Sequence, residues 1–97
     1  MSSNTSENNT NIHERFVYEL KSYHSFAAFM KLLECGREFE LLYNGRNIGI
    51  TRNGSSYFIS TEKNSIYNCP FELILKANIE EHFIVDIWND IEIVVIF

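Results

Sequence analysis

The sequence predicts an α+β fold: one domain in which an antiparallel meander of three to five strands is packed by helices. Three observations carry that prediction. Two Asn-Gly pairs, Asn44-Gly45 and Asn53-Gly54, stand nine residues apart. Asn tolerates positive φ and Gly adopts it freely, so Asn-Gly between apolar stretches signals a two-residue type I′ hairpin turn. Around the turns, apolar residues alternate with mostly polar ones: Phe39, Leu41 and Tyr43, then Ile48 and Ile50, then Tyr57 and Ile59. Period two places each set on one face of a sheet. On both sides of the meander the period changes to that of a helix, as Phe26, Phe29, Met30 and Leu33, and again as Ile84, Ile87, Trp88 and Ile91.

Taken in order, residues 1–11 carry no apolar side chain after Met1 and read as a disordered polar tail, leaving 12–97 as the domain. Residues 12–21 fit a helix through Ile12, Phe16 and Leu20, with Thr10 or Asn11 as cap. An edge strand through Phe16, Tyr18 and Leu20 is the alternative. A helix over about 25–35 opens on Ser25 as N-cap and stops at Gly36, and its aromatic stripe covers the apolar face of the meander. Strands follow at about 37–43, 46–52 and 56–61, with Gly49 a weak point in the second. Glu62-Lys63-Asn64 reads as a polar turn and Ser65-Ile66-Tyr67 as a short further strand. Pro70 suits the first turn of a helix over about 70–77, with Glu72 near its positive end and Phe71, Ile74 and Leu75 facing inward. A helix over about 83–91 turns Asp86, Asn89 and Asp90 outward. The β-branched run Ile93–Phe97 completes a strand over about 92–97, either within the sheet or as an edge that a partner completes.

Length and composition bound the function. At 97 residues, 45% of them hydrophobic, the chain builds one modest core. No apolar run is longer than the five residues of Ile93–Phe97, far short of a membrane span, and the amino terminus has no signal-peptide pattern. A cytoplasmic protein with no membrane partner is expected. Cys35 and Cys69 form no CxxC pair and lie at no metal-ligand spacing from a His, so both read as reduced, mostly buried thiols.

The charge is unevenly placed. Residues 1–76 hold eight acids and all eight bases. Residues 77–97 hold Glu80, Glu81, Asp86, Asp90 and Glu92 against none, which accounts for the whole net charge of −5. Direct binding to nucleic acid is disfavoured, because phosphate neutralisation needs a basic surface. An acidic face instead attracts a basic protein partner, or fills a groove made for nucleic acid.

Ser25-Phe26, Gly36-Arg37-Glu38-Phe39-Glu40, Tyr43-Asn44-Gly45 and the run Asp86 to Glu92 resemble small uncharacterised proteins of Gram-positive bacteria, some carried on phages and other mobile elements. The resemblance spans roughly residues 25–92 and brings no catalytic signature. In size and acidity the chain is also similar to the small inhibitors that such elements use against host defence, anti-CRISPR proteins among them. That likeness implies an inhibitor of a host protein.

The motifs of chemistry are sparse. His13, His24 and His82 are not spaced as a helical metal site, and there is no phosphate loop, HExxH or GxSxG. No cofactor or metal is expected. Asp86 and Asp90, one helical turn apart, read as a solvated face, and Glu38 and Glu40 as surface partners of Arg46 or Arg52. The leading expectation is a non-enzymatic protein-binding module. Its contacts would be Glu80, Glu81, Asp86, Asp90 and Glu92, with Tyr57 or Phe58 from the exposed sheet face, and its target a protein with a basic surface. The alternatives are a homodimer joined through the Ile93–Phe97 edge, and a small metal-dependent hydrolase using the acids and His82.

Overall fold

The computed structural model describes the backbone of residues 5–97 and the side chains of residues 12–97. In chain order these residues form α1 (Thr5–Tyr23), α2 (Phe26–Glu34), β1 (Phe39–Tyr43), β2 (Arg46–Asn53), β3 (Ser56–Ile59), β4 (Glu62–Tyr67), α3 (Pro70–Lys76), β5 (Asn78–Ile79), β6 (His82–Phe83), α4 (Ile84–Ile87) with a 3₁₀ turn Trp88–Asp90, and β7 (Glu92–Ile96). The fold is α+β. Five strands form an antiparallel sheet in the order β4-β3-β2-β1-β7, and β5 and β6 form a small hairpin apart from it.

Residues 12–21 are helical, in one helix that starts at Thr5. Residues 5–11, expected within a disordered tail, therefore have helical backbone, and residues 1–4 of that expected tail lie outside the described residues. No Pro or Gly interrupts the stretch, and a helix once nucleated extends at little cost per residue. Its packed part is Phe16, Val17 and Leu20, against the core.

α2 follows the sequence at both ends. Ser25 Oγ accepts the Ala28 N–H at 3.1 Å. At the other end Gly36 takes φ +91, and the Gly36 and Arg37 N–H groups return to the Leu33 and Leu32 carbonyls, each at 3.0 Å. This pair of bonds is the Schellman pattern, which needs a left-handed residue.

The first hairpin turn has Asn44 and Gly45 both at positive φ, with Tyr43 opposite Arg46. The second turn lies one residue later than expected. Asn53 pairs with Ser56 inside the ladder, and the turn is Gly54-Ser55 with positive φ at Gly54 alone. That is the type II′ preference, glycine first. β3 stops at Ile59, and Glu62-Lys63-Asn64, expected as a turn, belong to β4. Polar residues with a lysine suit an edge strand.

Period two then divides the sheet. Phe39, Leu41, Tyr43, Ile48, Ile50, Tyr57, Ile59 and Tyr67 are buried on one face, under Leu20, α2, Leu73, Ile74, Ile84, Ile87, Trp88 and Ile91. The residues between them, among them Glu40, Leu42, Asn47, Gly49, Thr51, Phe58 and Ser60, are half-buried or exposed. α3 buries Pro70, Leu73, Ile74 and Ala77, an i, i+3, i+4, i+7 face. Phe71 and Leu75, expected inside, are 59% and 51% exposed. The helix expected over 83–91 keeps its predicted inner face, but it is one α-turn followed by a 3₁₀ turn. Neither start carries a side-chain cap, and Ile87 leaves helical geometry at φ −112, ψ 14.

Two long-range ties close the molecule. Arg37 donates through Nε to the Phe97 carbonyl and through Nη2 to the Ile96 carbonyl at 3.4 Å, and its Nη1 donates to His13 Nε2 at 2.6 Å. On the far edge, Glu62 Oε1 accepts the Tyr67 hydroxyl at 2.5 Å and the Asn78 N–H at 3.2 Å. Burial, reinforced by this carboxylate, raises the Tyr67 phenol above its ordinary value of 10.0.

Gly36→Ala should cost about 1–2 kcal/mol in urea unfolding, because a Cβ is strained at that φ. Tyr67→Phe should cost about 1–2 kcal/mol near neutral pH through the lost bond to a carboxylate. A raised folded-state value favours the neutral phenol in the native protein. The stability it contributes is complete below about pH 10 and is lost as pH rises through the folded value. Stability from urea unfolding should fall more steeply with pH across that range in the parent than in Tyr67→Phe.

Candidate functional site

The five carboxyl-terminal acids do not share one environment. Glu80 and Glu81 form the two-residue turn between β5 and β6, where Asn78 pairs with Phe83 and Ile79 with His82. Both glutamates are left-handed, at φ +50 and +70. This is type I′ geometry without the usual Asn or Gly. The turn is held from both sides. Asn78 Oδ1 accepts the Glu81 N–H at 2.8 Å, and the Asn78 carbonyl accepts the Thr61 hydroxyl at 2.7 Å. The Glu80 carboxylate accepts from Asn44 Nδ2 at 3.1 Å and from Arg46 Nη1 at 3.5 Å. Glu80 is thus half-buried and engaged internally, fastening this turn to the first hairpin turn.

Glu81, Asp86, Asp90 and Glu92 are exposed, and among the described residues none of them lies in an ion pair. Asp90 and Glu92 line a cleft of about 500 Å³ between the end of α1 and the start of β7, together with Leu20, Lys21, His24 and Ile93. Asp86 lies outside that lining, on α4.

Of the two aromatic candidates, Tyr57 is corrected. It is 4% exposed on the covered face, and its hydroxyl donates to the Leu33 carbonyl at 2.9 Å. Phe58, the next residue, points to the open face and is half-buried. Alternation decides this, because Tyr57 shares the parity of Ile59 and Ile50.

The same parity corrects the expected pairing of Glu38 and Glu40 with Arg46 or Arg52. Glu40 lies opposite Gly49 on the open face, whereas Arg46 is opposite Tyr43 and Arg52 opposite Tyr57, on the covered side. Arg46 turns to Glu80. The Arg52 guanidinium lies 5.4 Å from the Tyr57 ring centre and donates to the Gly54 carbonyl at 2.7 Å. The Glu38 carboxylate accepts the Arg52 backbone N–H, at 2.8 Å. Around Gly49 the open face carries a shallow groove of about 450 Å³, lined by Glu38, Glu40, Asn47, Gly49, Ser60 and Phe97.

The histidines do not converge. His13 accepts from Arg37, and His82 is exposed on β6. His24, at φ +55, stacks on Trp88 with ring centres 4.3 Å apart. Its Nε2 donates to the Trp88 carbonyl at 2.8 Å, and Trp88 Nε1 donates to the His24 carbonyl at 3.0 Å. A carbonyl only accepts, so this geometry requires the proton on Nε2. Sequence reasoning missed this clasp, since nothing local marks a pair 64 residues apart. Cys35 is exposed at the end of α2 and Cys69 half-buried; both are free, and Cys35 departs from the expected burial. Among the described residues, no group of three or more His, Cys, Asp or Glu is placed to hold a metal ion, and no helix is long and apolar enough to cross a membrane.

Glu81→Gly should stabilise the protein by about 1 kcal/mol, measured by thermal unfolding, because it relieves a left-handed non-glycine residue whose side chain is exposed. Glu80→Gly should gain less, since it also removes the contacts to Asn44 and Arg46.

No family model, no curated protein and no solved structure matches the chain.

Proposed function

We propose that this is a non-enzymatic binding protein that acts by occupying the surface of a protein partner with a basic face. The observation that carries the reading is the exposure of Glu81, Asp86, Asp90 and Glu92, none of them paired with a cation among the described residues. Four carboxylates left to solvent add to the negative potential of the surface, which speeds encounter with a basic partner and penalises acidic ones. Host proteins that handle nucleic acid present such basic surfaces. The resemblance to proteins of mobile elements supports a role as an inhibitor of one of them. Glu80 serves the fold in this reading, and Phe58 offers apolar contact from a different side of the molecule.

A homodimer joined through β7 is the second reading. It is favoured by the place of β7 at the sheet edge and by the exposure of Val94 and Phe97, 47% and 62%. A monomeric mass in solution at all concentrations would sink it.

The leading reading is tested by capture of the tagged full chain from a lysate of the host at low and high salt, followed by affinity measurement on the partner identified. One stoichiometric partner, released by salt, is expected. Replacing Glu81, Asp86, Asp90 and Glu92 together by lysine should weaken its binding by about tenfold or more, mainly through slower association. Unchanged affinity in that variant would overturn the assignment of these acids.

A further inference from the structure

The open face of the sheet poses a question that the fold does not answer. Gly49 lies in the middle of β2, flanked by β1 and β3. Its φ is not positive, and a Cβ added there would meet no heavy atom within 4 Å. Neither backbone geometry nor packing requires glycine, and a β-branched residue would stabilise the strand. The side-chain position is nonetheless empty, and the emptiness forms the floor of the groove.

The walls of that groove are chemically one-sided. Glu40 of β1 and Glu38, the residue before that strand, both line it. Both are half-buried, and among the described residues neither is in an ion pair. The Glu38 carboxylate is held in place by the Arg52 backbone N–H, while the Glu40 carboxylate has no hydrogen-bond partner among the described residues. The open-face positions of β1, β2 and β3 are Glu40, Leu42, Asn47, Gly49, Thr51, Asn53, Ser56 and Phe58, with Ser60 just past β3, and none of them is a base. Two carboxylates lining one groove with no base between them favour a cation placed there. The Phe97 ring on the rim, 62% exposed, offers a surface for an aliphatic stem or a cation.

We infer that the open face binds an extended basic segment of a protein partner, with one lysine or arginine side chain lying in the groove over Gly49 between Glu38 and Glu40. The inference rests on the reading of the chain as a binding protein and gives it a second, separate contact. Charge selects the occupant. A nucleic acid is repelled by the carboxylates, and a second copy of this chain would bring its own acidic face.

The test is a titration of the ¹⁵N-labelled full chain with a peptide of alternating lysine and valine, read by NMR. A peptide with acetylated lysines is the control. Binding should shift the amides of Glu40, Gly49, Thr51, Ser60 and Phe97, and the acetylated peptide should shift none. Gly49→Thr should weaken binding by about tenfold while raising the melting temperature by about 4 °C or more. A filled groove thus loses binding in a better-folded protein. Glu40→Gln should weaken binding without moving the melting temperature downward. The variant with lysine at 81, 86, 90 and 92 should keep the groove shifts. Binding that ignores Gly49→Thr, or shifts confined to residues 80–92, would overturn the groove while leaving the binding reading standing. Absence of any shift with the lysine peptide at low salt would also overturn the groove, and the lysate capture then decides the binding reading by itself. Concentration-dependent shifts without peptide would make a second copy the occupant and overturn the basic segment.

Discussion

The pairing of Tyr43 with Arg46 across the Asn44-Gly45 turn decides which side chains of this protein meet water. Strand side chains alternate, so a slip of one residue would turn Phe39, Leu41, Ile48 and Ile50 outward and bring Glu40, Asn47 and Thr51 under the helices. The cost of burying those groups without partners is far larger than any local preference. Every helix that contributes to the core lies on the same side as a result. The other side is left bare, and its chemistry is whatever the intervening positions happen to carry. The acids at Glu38 and Glu40 and the gap at Gly49 are placed by the register that places the core.

The cover on the inner face is organised by aromatic rings. Phe29 of α2 lies 4.9 Å from Phe39 of β1 and 4.8 Å from Trp88, and Phe26 meets Trp88 edge-on at 5.1 Å. Trp88 is buried against this group while its indole N–H and its backbone carbonyl are both used by His24. The turn between α1 and α2 is thereby locked to the turn that leads into β7. Two helical layers separated widely in sequence share one fixed joint, and a short helix with no caps of its own is held in place by tertiary contact.

Where the sequence was readable, a local rule and a tertiary demand agreed. Ser25 and Gly36 bound α2 because capping is local and the helix between them has one apolar face. The first Asn-Gly turn is where it was expected for the same reason. Where they parted, the local signal was ambiguous or silent. On α3, Phe71 with Ile74 and Leu75 makes as good an apolar face as Pro70 with Leu73, Ile74 and Ala77, and only packing chooses the second. The Glu80-Glu81 turn has no sequence signature, since glutamate is a poor left-handed residue and its support comes from Asn44, Arg46 and Asn78. The exposed acids were legible because charge distribution is a sum over residues. The groove was not. A glycine in a strand reads as a weakness until one knows that nothing stands above it, and that requires the register and the third dimension.

The position of β7 bears on how the chain assembles. β1 to β4 follow one another with turns of two residues, but β7 reaches β1 from the far side of α3, the small hairpin and α4. It joins with an irregularity, Glu40 facing Val95 while Leu41 faces Ile93, so that Val94 is an extra residue in the ladder. Local hairpins close at low entropic cost, whereas this closure spans roughly fifty residues and is slower. The meander therefore has the character of an early, self-sufficient unit, and β7 that of a late addition. Amide protons of β2 and β3 should be the last to exchange with solvent, and those of β7 should exchange through a partial opening that leaves the meander intact. The irregularity at Val94 exists only while β7 is paired, so the opened state bares the regular edge of β1, the kind of surface that invites pairing with a stranger.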